Sequence, residues 1–584
     1  MKTIFSYLTK REWTFLGICA LFALLSIWTD MSIPDQMGVI TTKLQTEGST
    51  ISDVTGSGLL MLLYALLGLL GTIITTYFSA KVGAGLATRI RGAIFDKVLD
   101  FSMEDMGAFS TSSLITRCTN DIMNVQSVFA AGAVLIFKAP ITAIWAFTRI
   151  IGKNSMWTAA VGVIFLIVVG FIIGIAMLVR PSLRTVQGLI DETNRVSREH
   201  LSGIRVIHAF NAYDYQKNRF EKVNEALTSL SRKIFRRIAL FNPFLDTMTN
   251  ILNVAIYCIG AVIILAASAA DRVNLFSEMV TFSSYALLVM TAFVQLLVIY
   301  MGLVKSLASI DRISEVLNTE IKIRDGADTK KETAQGTIEF KNVSFRYPNS
   351  GDNALSDINI SIEKGQTVAF IGATGSGKST ILNLIPRFYD ATEGTVLVNG
   401  KDVRDYKLNE LRNKLGYIPQ KSILFSGSIA DNIAYGDNGR FQATLTEIRH
   451  AAEVGQAKEF IEKKEGGYNA RVSEGGKNFS GGQKQRLTIS RAIARDPEIY
   501  LFDDSFSALD FKTDRILRER LKEVAKGATV VIVAQRIGTI RNADRIFVVD
   551  QGRIAGAGTH DELMKDCTIY QEIALSQMTE KEAG

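Results

Sequence analysis

Hydrophobic positions divide the chain into two unlike stretches. Up to residue 304, long apolar runs recur at 15–33, 59–82, 128–151, 157–179, 241–267 and 279–304. A helix that crosses the hydrocarbon core needs about twenty mostly apolar residues, and each run has about that length. Six spans are therefore predicted, and an even number returns the chain to the side on which it started. Lys10 and Arg11 precede the first run, in a segment that reads as a short amphipathic lead-in at the inner surface. From Gly336 the pattern changes: short strand-like runs at 337–340, 343–346 and 367–371 give way to helix-like ones, as in an α/β domain.

The connections between runs set the topology. Those after the first, third and fifth are short or moderate, whereas those after the second and fourth are long, polar and helix-patterned. The fourth-to-fifth connection carries Arg180, Arg184, Arg195, Arg198, Arg205, Lys217, Arg219, Lys222, Arg232, Lys233, Arg236 and Arg237. Such an excess of positive charge marks the cytosolic side, which puts the N-terminus and the second half there as well. Helical patterning that continues beyond the apolar runs predicts spans extended into the cytosol. Three ionisable residues, Lys138, Asp30 and Asp246, lie within or beside the runs, where a charge normally faces a cavity or an opposite partner. Both signs occur, so the charge of a transported molecule stays open.

Composition changes this picture little. A chain of 584 residues exceeds one hydrophobic core, and 47% hydrophobic against 21% charged residues suits a membrane part joined to a soluble one. The net charge of +7 is explained by the cytosolic loops. No basic patch interleaves with aromatics, so nucleic acid is not expected as a partner. Cys19, Cys118, Cys258 and Cys567 are far apart, without the spacing of a metal site or a disulfide framework. The first apolar run lacks a small-residue cleavage site and reads as a retained membrane helix.

Candidate chemistry lies in the second half. The 367–371 strand runs into Gly372, Ala373, Thr374, Gly375, Ser376, Gly377, Lys378, Ser379 and Thr380, and a helical run follows at 381–385. Strand, glycine loop and helix in that order is the setting of a phosphate-binding loop. Glycines let backbone N–H groups close around phosphate oxygens, and the helix N-terminus adds a favourable dipole. Lys378 is placed to reach the β- and γ-phosphates of ATP, and the Ser379 hydroxyl to coordinate Mg²⁺. Downstream, an apolar strand at 499–502 ends in Asp503, a second Mg²⁺-directed group. Between the two stand Ser480, Gly481, Gly482 and Gln483.

In this order the motifs resemble those of ABC exporters, and the resemblance covers nearly the whole chain. It implies a polytopic α-helical membrane domain of six spans fused to an α/β P-loop ATPase domain. By the same resemblance, residues 480–483 form the signature that contacts the γ-phosphate of ATP held by the opposite domain. Tyr347 matches the residue that stacks on adenine, and Gln420 the glutamine that senses Mg²⁺ and water. Residues 507–510 match the loop that communicates across the dimer, and Glu474 lies where an exporter-type loop precedes the signature. The stretches 107–121 and 203–211 resemble the regions around coupling helices. Expected domains are 1–310 for the membrane part, 311–335 for a linker, 336–578 for the nucleotide-binding part and 579–584 for a tail.

Two positions depart from the family pattern. Asp504 stands where a glutamate usually acts as general base, and Gln535 where a histidine is usual. Aspartate is one methylene shorter, and misplacing a base by about 1 Å can cost on the order of a hundredfold in rate. Gln535 can hydrogen-bond the γ-phosphate but cannot become cationic near neutral pH. Together they resemble the degenerate subunit of heterodimeric bacterial multidrug exporters. The expected partner is a second half-transporter with Glu and His at those positions, and the expected cargo an amphipathic small molecule. The bilayer would be the bacterial plasma membrane. A homodimeric exporter of lipid, peptide or haem-like substrate is one alternative, and an ATP-gated regulatory or channel-like protein another.

Overall fold

The computed structural model describes residues 2–46, 50–151, 154–268, 271–327, 331–348, 350–437, 439 and 443–582. The chain divides into two compact units, Met1–Lys97 with Thr111–Asn318, and Val98–Ser110 with Thr319–Gly584.

The first unit is built on seven main helices: α1 (Lys10–Gln45), α2 (Ile51–Leu99), α3 (Ala133–Ile150), α4 (Ser155–Ser202), α5 (Tyr213–Ala239), α6 (Phe241–Ala266) and α7 (Arg272–Asn318). Helix α1 starts where Thr9 and Glu12 cap each other reciprocally, so the basic lead-in is continuous with the first apolar run. Glu12, buried, also takes the Arg89 guanidinium from α2. Among the described residues, five helical stretches are long and apolar enough to cross a membrane: Lys10–Gln45, Val54–Leu99, Ser155–Ser202, Tyr213–Ala266 and Arg272–Leu296. They contain or overlap the first, second, fourth, fifth and sixth apolar runs. The third run differs. It begins as a π turn, Val128–Gly132, and continues as the 18-residue α3, which holds Pro140, Lys138 and Arg149. Helices α2, α4 and α7 have 49, 48 and 47 residues. At 1.5 Å per residue each is about 70 Å long, more than twice the hydrocarbon thickness. Helix α7 continues to Asn318, past the boundary expected at 310.

Charges inside the bundle find one another. Lys138 Nζ lies 2.8 Å from Asp30 Oδ2 and donates to Ser26 Oγ at 3.2 Å, and Ser26 shares a hydrogen with Thr72. Farther along α1, Asp35 accepts from the Tyr285 hydroxyl at 2.7 Å and lies 3.5 Å from Arg149. Asp246 is exposed near the start of α6. The Lys138–Asp30 pair is 24% and 33% exposed, so removing one partner strands a charge in a partly enclosed apolar setting. Asp30→Asn is expected to destabilise by about 2 kcal/mol. The melting temperature of the purified protein would fall accordingly. Exchanging the pair, Asp30→Lys with Lys138→Asp, should restore it; a melting point unmoved by the single change would remove the pair from the stability account.

Among the described residues the second unit holds two main sheets and a two-stranded pairing of Gly427–Ser428 with Arg471–Val472. Strand β1 (Ile338–Phe345) pairs antiparallel with β2 (Leu355–Ile362) and with β4 (Glu393–Val398). The larger, separate sheet is made of β3 (Thr367–Ile371), β5 (Leu415–Ile418), β6 (Ile499–Asp503), β7 (Thr529–Val533), β8 (Arg545–Asp550) and β9 (Arg553–Gly558), in the order β9-β8-β3-β7-β6-β5. Period-two alternation along β3 sends Val368 and Phe370 into one core and Ala369 and Ile371 into the other. Strand β6 is buried at every position, as a central parallel strand should be. Strand β7 is in register with both neighbours, Val533 opposite Phe370 on one side and Asp503 on the other. The carboxyl ends of β3, β7 and β6 are therefore level, and the segments that follow them emerge side by side.

Residues 98–110 pack in this second unit. The short helix Met103–Gly107 is capped by Ser102 and Asp105, and Lys322 pairs with Glu104 while its backbone N–H reaches Asp105 at 3.4 Å. The stretch 107–121, expected around a coupling helix, thus divides between the units at Thr111. The second such stretch contains the short helix Ile204–Ala209.

Candidate nucleotide site

The loop 372–377 leaves β3 and turns into α8 (Lys378–Leu384). The turn uses left-handed backbone at Gly375 and Gly377, with φ of +84° and +104°. A Cβ on Gly377 would come within 2.7 Å of Leu355 Cδ2 and 2.9 Å of the Ala354 carbonyl, so only glycine fits there. Lys378 curls back over the loop: its Nζ donates to the Gly372 and Ala373 carbonyls at 2.9 and 2.7 Å and to Ser376 Oγ at 3.3 Å. Burial lowers the Lys378 pKa from the ordinary lysine value, while the nearby Asp504 and Asp503 charges pull it back up.

At the next residue, Ser379 Oγ donates to Asp503 Oδ1 at 2.7 Å. A hydroxyl and a carboxylate held together are hard oxygen donors, and they suit an ion such as Mg²⁺ that takes few protein ligands and completes its shell with phosphate and water. Burial raises the Asp503 carboxyl above the usual range, the Asp504 charge adds to this, and the bond from Ser379 opposes it. Thr380 Oγ1 shares a hydrogen with the Tyr347 hydroxyl at 3.0 Å. The Tyr347 ring is half-buried in an edge-to-face cluster with Phe345 and Tyr389, at centroid distances of 4.8 and 5.3 Å.

The two departures from the family pattern meet. Asp504 is buried and has left-handed backbone, φ +44°, with its N–H fixed on the Val533 carbonyl at 3.0 Å. Its Oδ2 accepts from two side-chain amides, Gln420 Nε2 at 3.2 Å and Gln535 Nε2 at 2.9 Å. Burial raises its pKa; the Gln420 bond and the Lys378 charge act the other way. Gln535 thus faces the carboxylate, an arrangement that its position in the sequence did not disclose.

The signature residues stand apart from this cluster. Ser480 and Gln483 cap each other at the start of α9 (Gly481–Ala494), leaving Gly481 and Gly482 on its first turn. Among the described residues, no hydrogen bond joins them to the glycine loop. Gly482 lies close to the Ala508 carbonyl, in the 507–510 loop, and Ser507 Oγ donates to the Asp504 carbonyl at 2.9 Å. Two contacts escaped the sequence reading because no motif marks them: Ser422 Oγ donates to the buried Gln485 of α9, and Gln577 grips the main chain beside Gln535.

The family described as ABC transporter transmembrane region matches residues 16–293, and that described as ABC transporter matches residues 355–507. An uncharacterized ABC transporter ATP-binding protein of Mycobacterium tuberculosis (strain ATCC 25618 / H37Rv) is 36% identical over 531 residues, 90% of each chain. The uncharacterized ABC transporter ATP-binding protein YfiB of Bacillus subtilis (strain 168) is 32% identical over 564 residues, 96% of each. An ATP-dependent lipid A-core flippase of Pseudomonas aeruginosa is 32% identical over 506 residues, 87% of this chain and 82% of the relative. In fold, the chain is similar to a bacterial Atm1-family ABC exporter solved with ATP bound: TM-score 0.81 at 24% identity, covering 97% of this chain and 99% of the other. A multi-pass helical membrane domain and an ATP-binding domain on one polypeptide place the chain in the ABC transporter family, as an exporter-type half-transporter with ATPase and translocase activity.

Proposed function

We propose that this chain is the slow-site half of a heterodimeric exporter of amphipathic small molecules in a bacterial plasma membrane. The observation that supports this reading is the double amide contact on Asp504 Oδ2, in a chain that keeps its phosphate loop and its signature residues. A carboxylate that accepts two amide N–H bonds is less available to take a proton from water. In the domain pair, residues 372–380 with Tyr347 would hold ATP. Mg²⁺, when bound at Ser379, Asp503 and Gln420, would neutralise phosphate charge. Ser480, Gly481, Gly482 and Gln483 would complete the partner's active site. The cytosolic side would carry the N-terminus and the ATP-binding domain, with that domain running from 336 and the linker shortened to 319–335 by the reach of α7 to Asn318. The third apolar run, with Lys138 paired to Asp30, would make the sixth span.

ATP closes such a pair of domains, and the cavity switches from one face of the membrane to the other. Turnover at the partner's site resets it, and slower turnover here biases the population towards closure. Purified alone, the chain is expected to turn over ATP slowly. With its partner half-transporter the rate should rise at least about tenfold, a gain that Ser480→Arg in this chain removes while leaving ATP binding here intact. Brisk turnover by the chain alone would overturn the heterodimer. The flippase name of the Pseudomonas relative supports a second reading, a homodimeric lipid exporter. Lipid-stimulated turnover of the chain alone would favour that one.

A further inference from the structure

The amide of Gln535 is aimed from outside the nucleotide motifs. Gln535 and Arg536 are exposed, and the short helix that follows, Ile537–Ile540, has no side-chain cap at Arg536. The first N–H groups of a helix have no partner within it. Here one is satisfied from the C-terminal helix α10 (Thr568–Glu582). Ile537 N–H donates to Gln577 Oε1 at 2.9 Å, and Gln577 Nε2 donates to the Gln535 carbonyl at 2.7 Å. One amide thus binds the main chain on both sides of Arg536, as a neighbouring strand would. With the backbone fixed at both points, the Gln535 side chain extends to Asp504 Oδ2 at 2.9 Å.

We infer that Gln577 is a positioning residue for ATP turnover: by holding the main chain of 535–537 it keeps the Gln535 amide on Asp504. Gln577 bonds to neither Asp504 nor the glycine loop and acts through Gln535. The inference rests on the slow-site reading above, because loosening the Gln535–Asp504 bond raises the rate only where that bond restrains it.

The test uses the full chain in lipid nanodiscs, with release of [³²P]phosphate from ATP followed over hours so that slow turnover is resolved. Gln577→Leu, which removes both bonds at similar volume, is expected to raise kcat about fivefold with KM unchanged within twofold. Gln577→Glu keeps the acceptor for Ile537 and loses the donor to Gln535, and should give a smaller rise if Gln577→Leu proves unstable. In a Gln535→Ala background neither change should move the rate, since the side chain they aim is gone. A rate change below 1.5-fold for both variants, or changes at 577 and 535 that simply multiply, would overturn the inference and leave Gln577 a packing residue. Brisk turnover by the unmodified chain would instead sink the slow-site reading, while the same double-variant ratio would still report whether 577 acts through 535.

Discussion

Changing Asp504 to glutamate and Gln535 to histidine together is expected to raise ATP turnover at this chain's own site about a hundredfold. The Asp504 main chain cannot advance to compensate for a short side chain, because its N–H is fixed to Val533 and its φ of +44° lies in a narrow allowed region. The extra methylene supplies about 1.5 Å of reach at most, enough to bring a carboxylate to the attacking water. Histidine removes the amide that occupies Oδ2 at 2.9 Å and adds a group able to carry charge near neutral pH. Glutamate alone should give only part of the gain, since Gln420 and Gln535 could still follow the longer side chain. Steady-state turnover of the single and double variants decides the matter. A double variant within twofold of the unmodified chain would mean that the two departures do not limit the rate.

Lys378→Ala should weaken ATP binding about a hundredfold, as expected for the loss of hydrogen bonds made by a charged donor to phosphate, each contributing about 1.5–3 kcal/mol. The three ammonium hydrogens are held by the Gly372 and Ala373 carbonyls and by Ser376, so binding exchanges these neutral acceptors for charged phosphate oxygens a short distance away. Arginine should not rescue it, because a planar guanidinium does not fit a space shaped around a compact ammonium. Titration with a fluorescent ATP analogue reads the affinity directly. Binding within threefold of the unmodified chain would move the phosphates away from this loop.

The nucleotide site was legible because its chemistry demands particular residues at fixed spacing. Left-handed backbone at 375 and 377 favours glycine and 377 has no room for a Cβ, and the hydroxyl and carboxylate of Ser379 and Asp503 follow from the same loop and a level strand end. Apolar runs likewise announced the membrane helices, since length and composition are local properties. Pairings between distant positions were not legible. Lys138 and Asp30 were each suspect as intramembrane charges, but helical periodicity carries no information about which charge answers which. Periodicity gave no sign that residues 98–110 pack with the second unit. Gln577 lies 42 residues beyond the main chain it grips, on a helix without motif, and a lone glutamine there reads as surface. The π turns at Arg117–Asp121 and Val128–Gly132 have no compositional marker at all.

Helices as long as α2, α4 and α7 carry phase as well as length. Each residue advances the axis by about 1.5 Å and turns it by about 100°. Deleting one residue from the middle of such a rod therefore rotates everything beyond the cut by more than a quarter turn, and a face meant for one neighbour meets another. A tilt of about 5° at one end moves the other by about 6 Å over a rod of this length. The length of these rods is thus set by registration, residue by residue.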